Sequence, residues 1–162
     1  MTEILVVADC WRVEADAEAI IHRAIETAAG MVDEDTGDAE LAIMLTDDAG
    51  IHTLNANWRG IDKPTNVLSF PALQPTGPSL PDDPPRMLGD IAIAYETLRR
   101  EADDEHKPFS HHLSHLAIHG FLHLIGYDHE TDGEAGEMEN LERRILARLG
   151  IPDPYAPQER TT

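Results

Sequence analysis

Three histidines, His119, His123 and His129, stand inside one eleven-residue run, His-Gly-Phe-Leu-His-Leu-Ile-Gly-Tyr-Asp-His. On a helix, residues four apart share a face, so His119 and His123 can aim ring nitrogens at one ion about 2 Å away. His129 is six residues past His123 and would fall on the opposite side of a continuing helix. Gly126 offers the remedy, because a glycine there can take a left-handed conformation, end the helix and let the chain turn back. Three neutral imidazoles with a fourth position left for water make the open, catalytic form of a zinc site, whereas structural sites are usually closed by four protein ligands. His111 and His115 extend the same four-residue stripe upstream and read as supporting or surface groups rather than ligands. The expected metal is zinc, one ion per chain, although three imidazoles would also hold nickel or copper, with selection in the cell decided by availability.

The class of hydrolysis is narrowed by a neighbour. Zinc peptidases with this spacing carry glutamate directly after the first histidine as general base, and here that position is Gly120. Peptide hydrolysis by that route is disfavoured. A zinc site can still serve as Lewis acid or activate water near neutral pH, which leaves metal-assisted hydrolysis open. Asp128 is the nearest carboxylate in sequence; it reads first as a group orienting a ligand histidine and second as a base.

Around this run the pattern predicts the elements that position it. Ile4 to Val7, Leu41 to Leu45, Val67 to Phe70 and Leu88 to Ala94 are short apolar runs bounded by turn residues and read as strands. Ala15 to Ala29 reads as a helix with Ile20, Ala24 and Ala28 on one stripe, closed by Gly30. Asp47 or Asp48 can cap a short helix whose stripe is Ile51, Leu54 and Trp58. Tyr95 to His106 reads as a charged helix stopping before Pro108, Ser110 as the cap of the histidine helix, and Glu134 to Leu149 as a closing helix with Met138, Leu141, Ile145 and Leu149 inward. The expectation is an α+β fold, a mixed sheet of about four strands packed with about five helices, the histidine helix central and largely buried. It forms a single metal-dependent hydrolase domain over residues 1–151. Within it, 71–87 is a loop holding six of the eleven prolines, and 152–162 is a flexible C-terminal tail.

At 162 residues the chain suits one core. The lone Cys10 rules out an intramolecular disulfide and fits a reducing compartment. No basic leader and no run of about 20 apolar residues is present, so cytoplasmic location and no membrane partner are expected. Net charge is −19, from 12 basic and 31 acidic residues, which argues against a broad nucleic-acid-binding face. Any RNA contact should be local and salt-sensitive, drawn from Arg59, Lys63, Arg86, Arg99, Arg100 and Lys107. No apolar seam stands out, so monomer is the default.

Several separated segments resemble one family. His119 to His129 resembles the signature of the bacterial YbeY endoribonucleases, Asn57 to Phe70 their second signature, Leu88-Gly89-Asp90-Ile91 their third, and Met138-Glu139 with Glu142 their closing helix. The resemblance runs from about Leu41 to Leu149. It implies a zinc-dependent, single-strand-specific endoribonuclease acting in 16S rRNA 3′-end processing, ribosome maturation and ribosome quality control. The implied metal ligands are His119, His123 and His129, and the implied functional arginine is Arg59, whose planar fork suits a phosphate. Its implied partners are single-stranded RNA and rRNA, the ribosome and ribosomal proteins. One departure is Asn66, where the family usually has aspartate. Two other readings stand beside this one: a zinc peptidase, and a non-catalytic ribosome assembly factor with a structural zinc, which the acidic surface would suit through contact with basic ribosomal proteins.

Overall fold

The computed structural model describes residues 2–32, 39–72, 86–127 and 131–155. Among these, four strands form one mixed sheet: β1 (Thr2–Val6), β2 (Glu40–Thr46), β3 (Val67–Pro71) and β4 (Met87–Ala94). Its order is β1-β2-β4-β3, with β1, β2 and β4 parallel and β3 antiparallel to β4. Five α-helices accompany it: α1 (Ala17–Met31), α2 (Asp48–Arg59), α3 (Tyr95–Asp104), α4 (Phe109–Leu124) and α5 (Asp132–Arg148). The α+β architecture with a central histidine helix is therefore as expected.

The two faces of the sheet are covered unequally. Ile43, Leu45, Leu88, Ile91 and Ile93 meet α1, α4 and α5 in the main core. The opposite face, through Leu68, Ala92 and Ala94, packs on Ile51 of α2. The histidine helix α4 buries both flanks of its histidine stripe, with Leu113, Leu116, Ala117, Ile118, Phe121 and Leu122 all in the core. It approaches β4 closely because Gly120 has no side chain: a Cβ there would lie 3.0 Å from Cγ2 of Ile91.

Several boundaries differ from the sequence reading. Gly30 lies inside α1, which ends at Met31. Asp47 does cap α2, accepting from the Gly50 amide at 2.8 Å, but Trp58 points outward and is 73% exposed. Ser110 does not cap α4; the helix starts at Phe109 with Pro108 in the cap position, and the Pro108 carbonyl accepts from the His111 and His112 amides at 3.1 and 3.3 Å. Pro71 and Met87, read as ends of the Pro-rich loop, belong to paired strands, and 73–85 lie outside the described residues. A 3₁₀ turn, Asp9–Val13, was absent from the sequence reading; it buries Trp11, whose indole donates to the Thr46 carbonyl at 2.7 Å.

Candidate metal centre and cleft

A cleft of about 700 Å³ opens between the end of α2, the outer edge of β3 and the end of α4. Arg59, Lys63 and Asn66 line it together with His119 and His123, so residues some sixty positions apart in sequence share one cavity. The α2 wall is built by a left-handed glycine. Gly60, at φ 69°, ends the helix directly after Arg59 and reverses the chain. Asn55, buried one turn earlier, then donates its side-chain amide to the Lys63 carbonyl at 2.9 Å, and its backbone carbonyl accepts from the Ile61 amide at 3.2 Å. Arg59 itself is exposed, so its fork is available to the cleft.

Asn66 closes this loop. Its amide nitrogen donates to Oε1 of Glu101 at 3.0 Å, while its own oxygen accepts from the Val67 amide at 2.7 Å. The same Glu101 oxygen pairs with Nε2 of the buried His112 at 2.9 Å. Burial would raise the Glu101 pKa, but hydrogen bonds from His112 and Asn66 outweigh it and hold the group below its ordinary value.

On α4, Nε2 of His119 and Nε2 of His123 stand 3.1 Å apart. Two ligands at about 2.0 to 2.1 Å from a tetrahedral ion would be about 3.3 Å apart, so the pair is close to a ligating arrangement. Behind it, Nδ1 of His119 donates to Oε1 of Glu142 at 2.5 Å. Because an ionised carboxylate only accepts, this bond places the proton on Nδ1 and directs the Nε2 lone pair toward His123. Glu142 is fully buried, and its other oxygen, Oε2, accepts from Nε2 of His115 at 2.9 Å and from the Tyr155 hydroxyl. Burial pushes the Glu142 pKa upward, yet the bonds from His115 and His119 hold it at about 2.

Among the described residues, ligand atoms of His115, His119 and Glu142 lie within 4.8 Å of one another, a set that could hold a metal ion. His123 shares the cleft with His119; Gly126, at φ 105°, follows the helix end as the sequence required. His129 and Asp128 lie outside the described residues.

Comparison with known proteins places the chain. A family model described as endoribonuclease YbeY matches residues 8–150. The chain belongs to the YbeY family. A protein named endoribonuclease YbeY from Nitrobacter hamburgensis is 90% identical over 159 residues, covering 98% of this chain and 84% of that one. Another of the same name, from Nitrobacter winogradskyi, is 88% identical over 162 residues, 100% of this chain and 85% of that one. The solution structure of a Thermotoga maritima protein shares the fold at TM-score 0.58 and 23% identity, covering 97% of this chain and 100% of the other.

Within this YbeY chain, the sequence reading brought His119, His123 and Arg59 to one site but gave no role to Glu142 or Tyr155. A signal for Glu142 was available. It sits on the stripe of Met138, Leu141 and Ile145, and an acid on an inward stripe requires a buried partner. His115, expected to be a supporting group, does contact that acid.

Proposed function

We propose that this chain is a zinc-dependent, single-strand-specific endoribonuclease whose metal is held by His119, His123 and His129. Endoribonuclease activity, hydrolysis of RNA phosphodiester bonds, follows from family membership. The finer reading is carried by one observation: Arg59, His119 and His123 line the same cleft.

The donor set fits a divalent ion. The two Nε2 atoms are spaced for a shared ion, and the buried carboxylate behind His119 fixes its tautomer, as partners of ligating histidines do. The His115, His119 and Glu142 set fits less well, because its ring nitrogens already meet the carboxylate oxygens at 2.5 and 2.9 Å, direct hydrogen-bond distances. When bound, zinc supplies Lewis acidity and positive charge for phosphodiester hydrolysis. Arg59 holds the scissile phosphate through two parallel N–H bonds and offsets charge that grows on it in the transition state. Lys63, on the loop anchored by Asn55, adds a point charge for a neighbouring phosphate. Asp128 orients the adjacent ligand His129 or accepts a proton.

The substrate is single-stranded RNA, and the setting is 16S rRNA 3′-end processing, ribosome maturation and quality control in the cytoplasm, with ribosomal proteins as partners and the chain acting as a monomer. No helix among the described residues is long and apolar enough to cross a membrane. The peptidase reading loses further ground, since a Cβ at Gly120 would crowd Cγ2 of Ile91 at 3.0 Å.

The test is cleavage of a short single-stranded RNA by protein of measured zinc content, beside His123→Ala purified identically. Cutting by the parent and none by the variant is the expected result. If neither cuts while the parent retains its zinc, the assembly-factor reading replaces this one.

A further inference from the structure

We propose that Tyr155, carried on the short segment after α5, is a positioning residue for the metal centre: its hydroxyl pins the buried Glu142 carboxylate and, through it, the ring of His119. The inference rests on the reading of His119 as a metal ligand and adds to it a remote latch at the C-terminal end of the fold.

The geometry is a chain of three groups. Oε1 of Glu142 takes the Nδ1 proton of His119, and Oε2 is shared by Nε2 of His115 and the Tyr155 hydroxyl. Since the carboxylate is fully buried, no solvent competes for its lone pairs and these donors alone set its orientation. Rotation of the carboxylate would turn Oε1 away from His119 and release the imidazole that faces the cleft.

The segment bearing Tyr155 is itself fastened. Asp153 accepts from the Tyr155 amide at 2.8 Å and from Nε of Arg143 at 3.1 Å. The Arg143 guanidinium lies over the Tyr155 ring, 5.2 Å from its centroid, and the ring meets His115 edge-on at 5.5 Å. Pro152 and Pro154 flank Asp153 and restrict the chain before it docks, which lowers the entropy lost on latching. A ring there would suffice to cover apolar surface. The hydroxyl directed at a buried carboxylate is the feature that surface covering does not require.

The test uses the full chain, Tyr155→Phe, Glu142→Gln and the double variant. Two readouts are taken: exchange with water of the His119 Nδ1 proton, followed by NMR on metal-free protein, and zinc affinity by competition with a chelator. Tyr155→Phe should keep its thermal melt, exchange the His119 proton faster, and bind zinc about tenfold more weakly, the low end for outer partners of metal ligands. Added to Glu142→Gln, it should cause no further loss, because the path runs through that carboxylate. Unchanged exchange and affinity in Tyr155→Phe, or an equal loss in both backgrounds, would overturn the latch. Neither readout involves RNA cleavage, so an inactive parent would sink the proposed activity without touching this inference.

Discussion

Oε1 of Glu142 and Nδ1 of His119 are joined at 2.5 Å, and the opposite nitrogen of the same ring faces His123 at 3.1 Å. One buried acid therefore sets the tautomer of a cleft-facing imidazole and is in turn held ionised by it. The acid's pKa is depressed to about 2, against about 4.3 for an unfolded glutamate. A depressed carboxylate contributes stability that is complete above the unfolded value and is lost as pH falls through the folded one. In metal-free protein this contribution is on the order of 3 kcal/mol. Glu142→Gln should be less stable than the parent at pH 6, and the gap should close between about pH 4.3 and pH 2. Denaturant midpoints across that range check it; a gap independent of pH would contradict the assignment.

Arg59 is exposed at the end of α2, outside the buried core. Its substitution should spare the fold and injure the chemistry. Arg59→Lys keeps the charge but loses the planar fork, and a fall in kcat of about 10²-fold is expected, the scale for one group stabilising transition-state charge. Melting temperature and zinc content should match the parent. Full activity in Arg59→Lys would remove the fork from the mechanism.

The departure at Asn66 makes a sharper case. Its amide donates to Glu101, an acid already held ionised by His112 and Asn66 after burial has pushed the other way. Aspartate at this position would set a second carboxylate about where that donor stands, replacing attraction by repulsion. Asn66→Asp should cost about 1 kcal/mol, a charge-assisted bond discounted because Glu101 is partly exposed. The gap should narrow on acidification, since the added charge makes Glu101 protonate more readily in the folded state and protonation relieves the repulsion. Parallel acid titrations of the melt, parent against variant, decide it; an equally stable variant would show that the loop does not lean on this bond.

The histidine site was legible because helical spacing is a property of sequence: positions 119 and 123 must share a face, and Gly126 must release the chain. The strands were legible for the same reason, as four apolar runs between turn residues. Glu142 was hidden within a stretch of seven acids from Asp128 onward, a run that reads as a solvated face and so masks one buried member. The Asp9–Val13 turn is too short to show a helical period, so Trp11 gave no sign of its burial. Trp58 failed differently. The stripe Ile51, Leu54, Trp58 is real, but burial fades along it, from fully buried Ile51 to exposed Trp58, because α2 packs on the sheet through its first turns. Periodicity identifies a face without saying how far along the helix that face stays covered.

Gly120 tests the boundary between nuclease and peptidase chemistry. The histidine spacing matches that of zinc peptidases, and restoring their glutamate would seem a one-residue change. The fold opposes it. A Cβ at this position comes within 3.0 to 3.3 Å of three side-chain atoms of Ile91, which is itself fully buried on β4 between two neighbouring strands and has little room to shift. Overpacking of this kind costs about 1 to 3 kcal/mol, and a carboxylate forced into the same contact adds to that. Gly120→Glu should therefore unfold at markedly lower denaturant concentration, and no casein cleavage should accompany the change. Gly120→Ala separates the causes: it gains about 1 kcal/mol of helix propensity and still meets Ile91. A lower midpoint for Gly120→Ala than for the parent would show that contact outweighs propensity, and that α4 is held against the sheet by the absence of a side chain. A midpoint at or above the parent's would mean that Ile91 yields, and the steric argument against a peptidase would fall with it.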